Sequence, residues 1–357
     1  MKTSKNWGGT TMYKIKTSER NNDKATEFET KSLLYLMTGS PNSDNVDLFI
    51  IDCFNDVTGA SADYSESWDI QSKGVSSLTP KKIGAALYTL FSNYVSDIDF
   101  SHYILFLPPV KHSYIINASL DLFEISNFHE KRIAEIREGL QKEIADRNDT
   151  DVLAHNSTDS IDKFLAIVTF VVDNYGQADY IRRIIKFRSL EKLSDEFLAK
   201  VFDEIRIKQA SKKITNVHGL TLSSIKDALS LQKTIYRKDV ELLVVNRVIG
   251  NDLFSDRGIP LYFLPVVKDM DAEDIVDLLL DCQGKISSTL FNKNNKRNFW
   301  LLLEQIMYLI IKHPRENIRS IYSQITPTIK NKIFTLDETS TLYLISIVKE
   351  GLQHENT

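Results

Sequence analysis

The chain has 357 residues, enough for two domains and a sizeable core. Charged residues make up 26% and hydrophobic ones 42%, the balance of an ordinary globular protein, and a net charge of −4 argues against a constitutive nucleic-acid binder with its basic excess. The two cysteines, Cys53 and Cys282, lie far apart in apolar runs, which excludes a disulfide framework and zinc-ligand spacing.

Residues 1–22 show little periodicity and read as an extended polar arm without an apolar signal region, so no secretion is expected. The stretch KATEFETKSLLYLM (24–37) has helical spacing, with Glu29, Leu33 and Leu36 on one face. A carboxylate on a buried helix face calls for a partner. VDLFIIDC (46–53) is a β-branched and aromatic run that predicts a buried strand, and Asn55, Asp56 and Gly59 then signal a loop. Trp68 to Lys73 alternates, which puts Asp69, Gln71 and Lys73 on one face of a second strand. If these two strands pair, Asp56 lies beside Gln71 and Lys73 at the end of the sheet.

Thr79 as N-cap and Pro80 at the first helical position open a helix over 81–95, thin enough at Gly84-Ala85-Ala86 to pack closely on a sheet. HYILFL (102–107) predicts another buried strand, closed by Pro108-Pro109. A charged helix at 127–146, a polar loop at 149–159 and a strand at 164–172 follow. Beyond residue 190 the pattern turns helical, over 193–213, 223–232, 238–248, 272–282, 296–313, 315–324 and 338–352, with one short strand at 260–267. The apolar stretch 298–311 is too short for a membrane span and contains Glu304 and Gln305. No solenoid repeat, glycine-rich phosphate loop or GxSxG elbow is present.

The chemistry concentrates in the first third. An Asp carboxylate, a Gln amide oxygen and a main-chain carbonyl are hard oxygen ligands suited to an octahedral divalent cation, with phosphate and water completing the shell. Lys73 is placed to orient a water or to neutralise charge developing on a phosphate. Gln71 brings no charge, so a second acid is needed. Glu29 is the candidate, Glu27 a weaker one, and Asp52 and Asp69 are alternates. Lys81 and Lys82 are candidate contacts to a DNA backbone. The clusters Arg182, Arg183, Lys186 and Arg188, then Arg206, Lys208, Lys212 and Lys213, then Lys293, Lys296 and Arg297, each read as a solvated face when taken alone.

Glu29 on a first helix, Asp56 in NDVTG, and Gln71 and Lys73 in WDIQSKG together resemble the PD-(D/E)xK nuclease superfamily, in the variant where Gln replaces the second acid. The resemblance covers residues 24–110. It is strongest to the double-stranded DNA endonuclease domain of bacterial antiphage effectors, found on CBASS effectors and on the nuclease subunit of Lamassu systems. Nothing in the second half looks like the ligand-sensing domain of CBASS effectors, which favours the Lamassu type. The resemblance implies a restriction-endonuclease-like α/β domain over 1–190 and a mainly α-helical assembly or regulatory domain over 191–357. It implies Mg²⁺ or Mn²⁺ held by Asp56, Gln71 and Glu29, with Lys73 assisting attack by water. Its implied partners are double-stranded DNA, an SMC-like ATPase, a small accessory subunit and further copies of the chain when active. A cytoplasmic location away from membranes goes with it. Two alternatives stay open: a non-catalytic assembly subunit of such a complex, and a nuclease acting on RNA or single strands.

Overall fold

The computed structural model describes residues 13–15, 23–75, 77–187, 193–254 and 258–354. No single cut divides the chain: one compact unit takes Met1–Tyr180 and Asp203–Arg237, the other Ile181–Phe202 and Lys238–Thr357. The boundary expected at 190/191 falls within residues 188–192, outside the described residues.

The first unit begins with β1 (Tyr13–Lys14), α1 (Asp23–Thr38), β2 (Leu48–Ile51), β3 (Val57–Ala60) and β4 (Ser67–Ser72). It continues through α2 (Pro80–Ala86), α3 (Tyr88–Tyr94), β5 (His102–Leu107), β6 (Leu122–Glu124), α4 (Glu130–Arg147), α5 (Thr150–Leu153), α6 (Thr158–Leu165) and β7 (Val168–Val172). After α7 (Gln177–Ile184) and α8 (Asp195–Ser211), both of which straddle the division, come β8 (Thr221–Leu222) and β9 (Thr234–Tyr236).

Seven strands form one mixed sheet in the order β6-β7-β5-β4-β3-β2-β9. β2, β3 and β4 make an antiparallel meander, β5 runs parallel to β4, and β7 parallel to β5. Both edge strands, β6 and β9, are antiparallel to their neighbours. β1 and β8 pair separately. Because side chains alternate along a strand, Tyr103, Leu105 and Leu107 of β5 enter a core with Ile83, Phe91, Ile136 and Phe164 from α2, α3, α4 and α6. Phe106 turns to the other face, where the rings of Phe28 and Tyr35 of α1 pack on it in tilted geometry at 5.0 and 5.7 Å between centroids. Helices therefore cover both faces of a mixed sheet, an α/β arrangement.

Several local expectations need correction. The loop read at 55–59 contains β3, so β2 and β4 are not neighbours; β3 lies between them. The single helix over 81–95 is broken at Leu87, whose N–H bonds back to Gly84 O at 3.1 Å in a tighter turn. Its start is as expected, with Thr79 capping Lys82 N at 3.4 Å and Pro80 opening the helix. The thin face packs on a helix, not on the sheet. A Cβ at Gly84 would lie 1.9 Å from Ile136 O, and one at Gly139 only 2.1 Å from Lys81 O. α2 and α4 thus touch backbone to backbone. The apolar run 164–172 is the end of α6 followed by β7, and the loop 149–159 contains α5. Residues 225–231 wind as a 3₁₀ helix.

The second unit is helical: α9 (Arg237–Ile249), α10 (Leu264–Val267), α11 (Ala272–Phe291), α12 (Lys296–Lys312), α13 (Ile318–Gln324), α14 (Pro327–Lys330) and α15 (Glu338–His354). The strand expected at 260–267 is a 3₁₀ turn leading into α10. The apolar stretch of α12 is core, with Phe299, Trp300, Leu303 and Ile306 buried. Lys296, expected on a solvated face, instead pairs with buried Glu241 at 2.6 Å. No described helix is long and apolar enough to cross a membrane.

Candidate functional site

The insertion of β3 sets the geometry. Val57 pairs with Ile70, so Asp56, one residue earlier, meets the end of β4 at Gln71 and Ser72. One Asp56 oxygen, Oδ2, accepts from Gln71 Nε2, Ser72 N and Ser72 Oγ, each at 2.7 Å. Three donors on one carboxylate oxygen fix its rotamer. Ser72, the middle residue of the Gln-x-Lys motif, therefore positions the aspartate. Its type alone gave no sign of that.

Gln71 is held from its other side by α3. Thr89 Oγ1 donates to Gln71 Oε1 at 2.5 Å, while Nε2 also donates to Ser72 O at 3.1 Å. Facing a carboxylate, the amide nitrogen is the favoured end; facing a cation, the oxygen is. Thr89's hydroxyl can donate to Oε1 or accept from Nε2, but a flipped amide sets Oε1 against Asp56 Oδ2 and Ser72 O, an arrangement that only a cation between the oxygens permits.

Lys73 follows β4 and extends the ladder, its N–H bonding Phe106 O at 3.0 Å, with a half-buried side chain. Asp69, two residues before Gln71 on the same face, lies deeper. It is fully buried and accepts from Asn93 Nδ2 of α3 at 2.8 Å. Burial pushes its carboxyl up to about 8. As an alternate ligand it is set into the core.

Glu29 sits on the inner face of α1 with only 4% exposure, as its spacing predicts. Burial, then the charge of Asp56, push its carboxyl up to about 7 against the pull of Lys213. Lys213 ion-pairs with Glu29. Burial works against the Lys213 ammonium, yet Glu29, Asp52 and Asp56 raise it overall. The two partners thus point different ways on whether the pair is charged. Contact between ammonium and carboxylate decides for the charged pair: Asp52 and Asp56 hold the Lys213 proton, and the ammonium offsets their push against the Glu29 charge.

Asp52 ends β2 in a left-handed conformation (φ 50°) and accepts from the buried Lys233 at 3.5 Å. Burial raises the neighbouring thiol of Cys53 to about 12, so it is not a thiolate nucleophile.

No family model, curated protein or solved structure matches this chain. The site is therefore read from its own donors. Glu29, Asp56 and, after rotation of its amide, Gln71 offer only hard oxygen atoms, with main-chain carbonyls at the strand ends nearby. Among the described residues no group of three His, Cys, Asp or Glu side chains is arranged to hold a metal. The set suits an ion such as Mg²⁺ that takes one or two carboxylates and leaves positions for phosphate and water, not a soft metal. The sequence missed Lys213, Thr89 and Ser72, all polar residues whose roles arise only from tertiary placement.

Proposed function

We propose that this chain is a metal-dependent endonuclease for double-stranded DNA, acting as the effector of a bacterial defence complex of the Lamassu type. The observation that carries the reading is the placement of Asp56 against Gln71-x-Lys73 on adjacent antiparallel strands, with Glu29 on the helix that precedes them. The element order of helix, three-stranded meander, helix and parallel strand agrees with a restriction-endonuclease-like core.

A bound Mg²⁺ or Mn²⁺ would be held by Glu29, Asp56 and Gln71 and would supply positive charge to a scissile phosphate and acidify a coordinated water. The chain's own groups supply the rest. Asp56, pinned by Gln71 and Ser72, keeps its carboxylate in one orientation. Glu29 adds the second negative charge that Gln71 lacks. Lys73, at the exit of β4, neutralises charge developing on the phosphate or orients the attacking water. Lys81, near the start of α2, pairs with Glu138 at 2.6 Å on the surface, an exposed pair that a DNA phosphate can displace at little cost.

The test compares wild type with Lys73→Ala at matched protein levels in cells that carry the neighbouring genes and are challenged with phage or plasmid, with DNA integrity read directly. Loss of both protection and DNA degradation is expected. If both persist, the site is vestigial and the chain is an assembly subunit. A parallel panel of duplex DNA, single strands and RNA identifies the substrate, and preference for RNA or single strands refutes the duplex assignment.

A further inference from the structure

Lys213 has no part in the chemistry just described, yet it pairs with Glu29 and feels the charges of Asp52 and Asp56. The last turn of α8 lies along α1 through two adjacent contacts. Gln209, fully buried, accepts from Thr30 Oγ1 at 2.7 Å. Four residues on, Lys213 ion-pairs with Glu29, the neighbour of Thr30. The chain keeps turning past the end of α8, with Lys212 N bonded to Gln209 O and Lys213 N to Ala210 O, both at 3.0 Å. Lys213 therefore stays one turn from Gln209, and docking the glutamine delivers the ammonium. The two side chains are only 13% and 5% exposed, so the pair is shielded from water and salt. Asp52 and Asp56 also act on Lys213.

We propose that Lys213 is a built-in cation that competes with the divalent metal for Glu29, so that the site takes up metal fully only when the ammonium withdraws. This rests on the reading of Glu29, Asp56 and Gln71 as metal donors. A carboxylate whose lone pairs are taken by an ammonium is a poor ligand, and an ammonium beside a divalent ion repels it strongly at low dielectric. Lysine is suited to such a part, because its charge sits on a flexible four-carbon stem that can swing away without unfolding the helix. Arginine, with a planar fork, or a fixed metal ligand would not release so readily. Asp56 and Gln71 remain bonded to each other and to Ser72 in the meantime, so the latch acts on one donor only.

The experiment is direct Mn²⁺ binding to the full chain without DNA, followed by the resonance signal of free Mn²⁺, for wild type, Lys213→Gln, Lys213→Arg and Lys213→Gln with Glu29→Gln. Lys213→Gln should bind about tenfold more tightly or better, Lys213→Arg no more tightly than wild type, and the double variant should lose the gain. Equal or weaker binding by folded Lys213→Gln overturns the latch and leaves the metal site standing. Absence of Mn²⁺ binding in every folded variant overturns the metal reading and the latch with it. A second measurement needs no substitution: Mn²⁺ should increase labelling of Lys213 in wild type by an amine-reactive reagent, read by mass spectrometry. Unchanged or reduced labelling overturns the proposal even if Lys213→Gln fails to fold.

Discussion

Asp69→Asn is a sharp test of the electrostatics beneath the site. Asp69 is fully buried, its Oδ2 accepts from Asn93, and its Oδ1 is without a hydrogen-bond partner. Burial raises its pKa from 3.8 to about 8, partly offset by the hydrogen bond from Asn93 and by the nearby Asn55 amide, and reinforced by the charge of Asp56. The folded pKa thus lies above the unfolded one, and between them the folded state binds more protons. The contribution of Asp69 to stability is therefore fully present below 3.8 and is lost as the pH rises through about 8. At about 1.4 kcal/mol per pH unit the ceiling of that loss is about 6 kcal/mol. Water entry and local relaxation lower such penalties, so about 3 kcal/mol is expected by pH ~9. Asparagine has nearly the same shape and no charge. Its amide meets the same unpartnered position as the protonated acid, an offset that does not change with pH. Urea denaturation of both proteins at pH of about 5, 7 and 9 should show wild type losing stability against Asp69→Asn as the pH rises. Parallel pH profiles would refute the reasoning, since they would mean that the carboxyl is ionised in the fold at little cost.

Two further substitutions test packing and a buried charge. Gly84→Ala, or Gly139→Ala, must force α2 from α4 because the new methyl meets backbone. A loss of about 2 kcal/mol or more is expected from thermal or urea unfolding despite alanine's better helix propensity, and the double variant should cost less than the sum, since one separation relieves both clashes. Lys233, with a fully buried side chain, faces Asp52. Lys233→Met should be neutral or stabilising, whereas Asp52→Asn strands the ammonium and should cost about 2 kcal/mol; the opposite order in urea unfolding would show that the pair is not what balances this lysine.

The sequence made the long apolar strands and the capped helix start legible because those signals are local. LFII and HYILFL are runs of isoleucine, leucine and aromatic side chains, and Thr79-Pro80 is a cap followed by a preset φ. β3 was hidden because Val57-Thr58-Gly59-Ala60 is short, carries a glycine and follows Asn55 and Asp56, which favour turns. Its strand state comes from pairing on both sides, which local propensity does not encode. The consequence for the site is direct. Asp56 reaches Gln71 through the register of a strand read as a loop, not through pairing of the two obvious strands. Lys213 and Lys296 looked like members of solvated basic clusters, and only tertiary contact shows that each neutralises a buried glutamate. The Gly84-Ala85-Ala86 face announced close packing correctly but gave no way to tell a sheet from a helix as its partner.

The interrupted course of the first unit also bears on how it can be made. Its outer edge strand, β9, joins β2 only after the chain has left at residue 180 and come back at 203. Arg237 then fastens that edge by donating to the carbonyls of Met37 and Val46 at 2.8 and 3.1 Å. While a ribosome emits this excursion, over a few seconds at ~5–20 residues per second, the nascent sheet presents an unpaired β2 edge and a Glu29 still without its ammonium. A truncation at residue 190 would make that transient state permanent: an open strand edge with its acids uncovered, prone to pair with other chains.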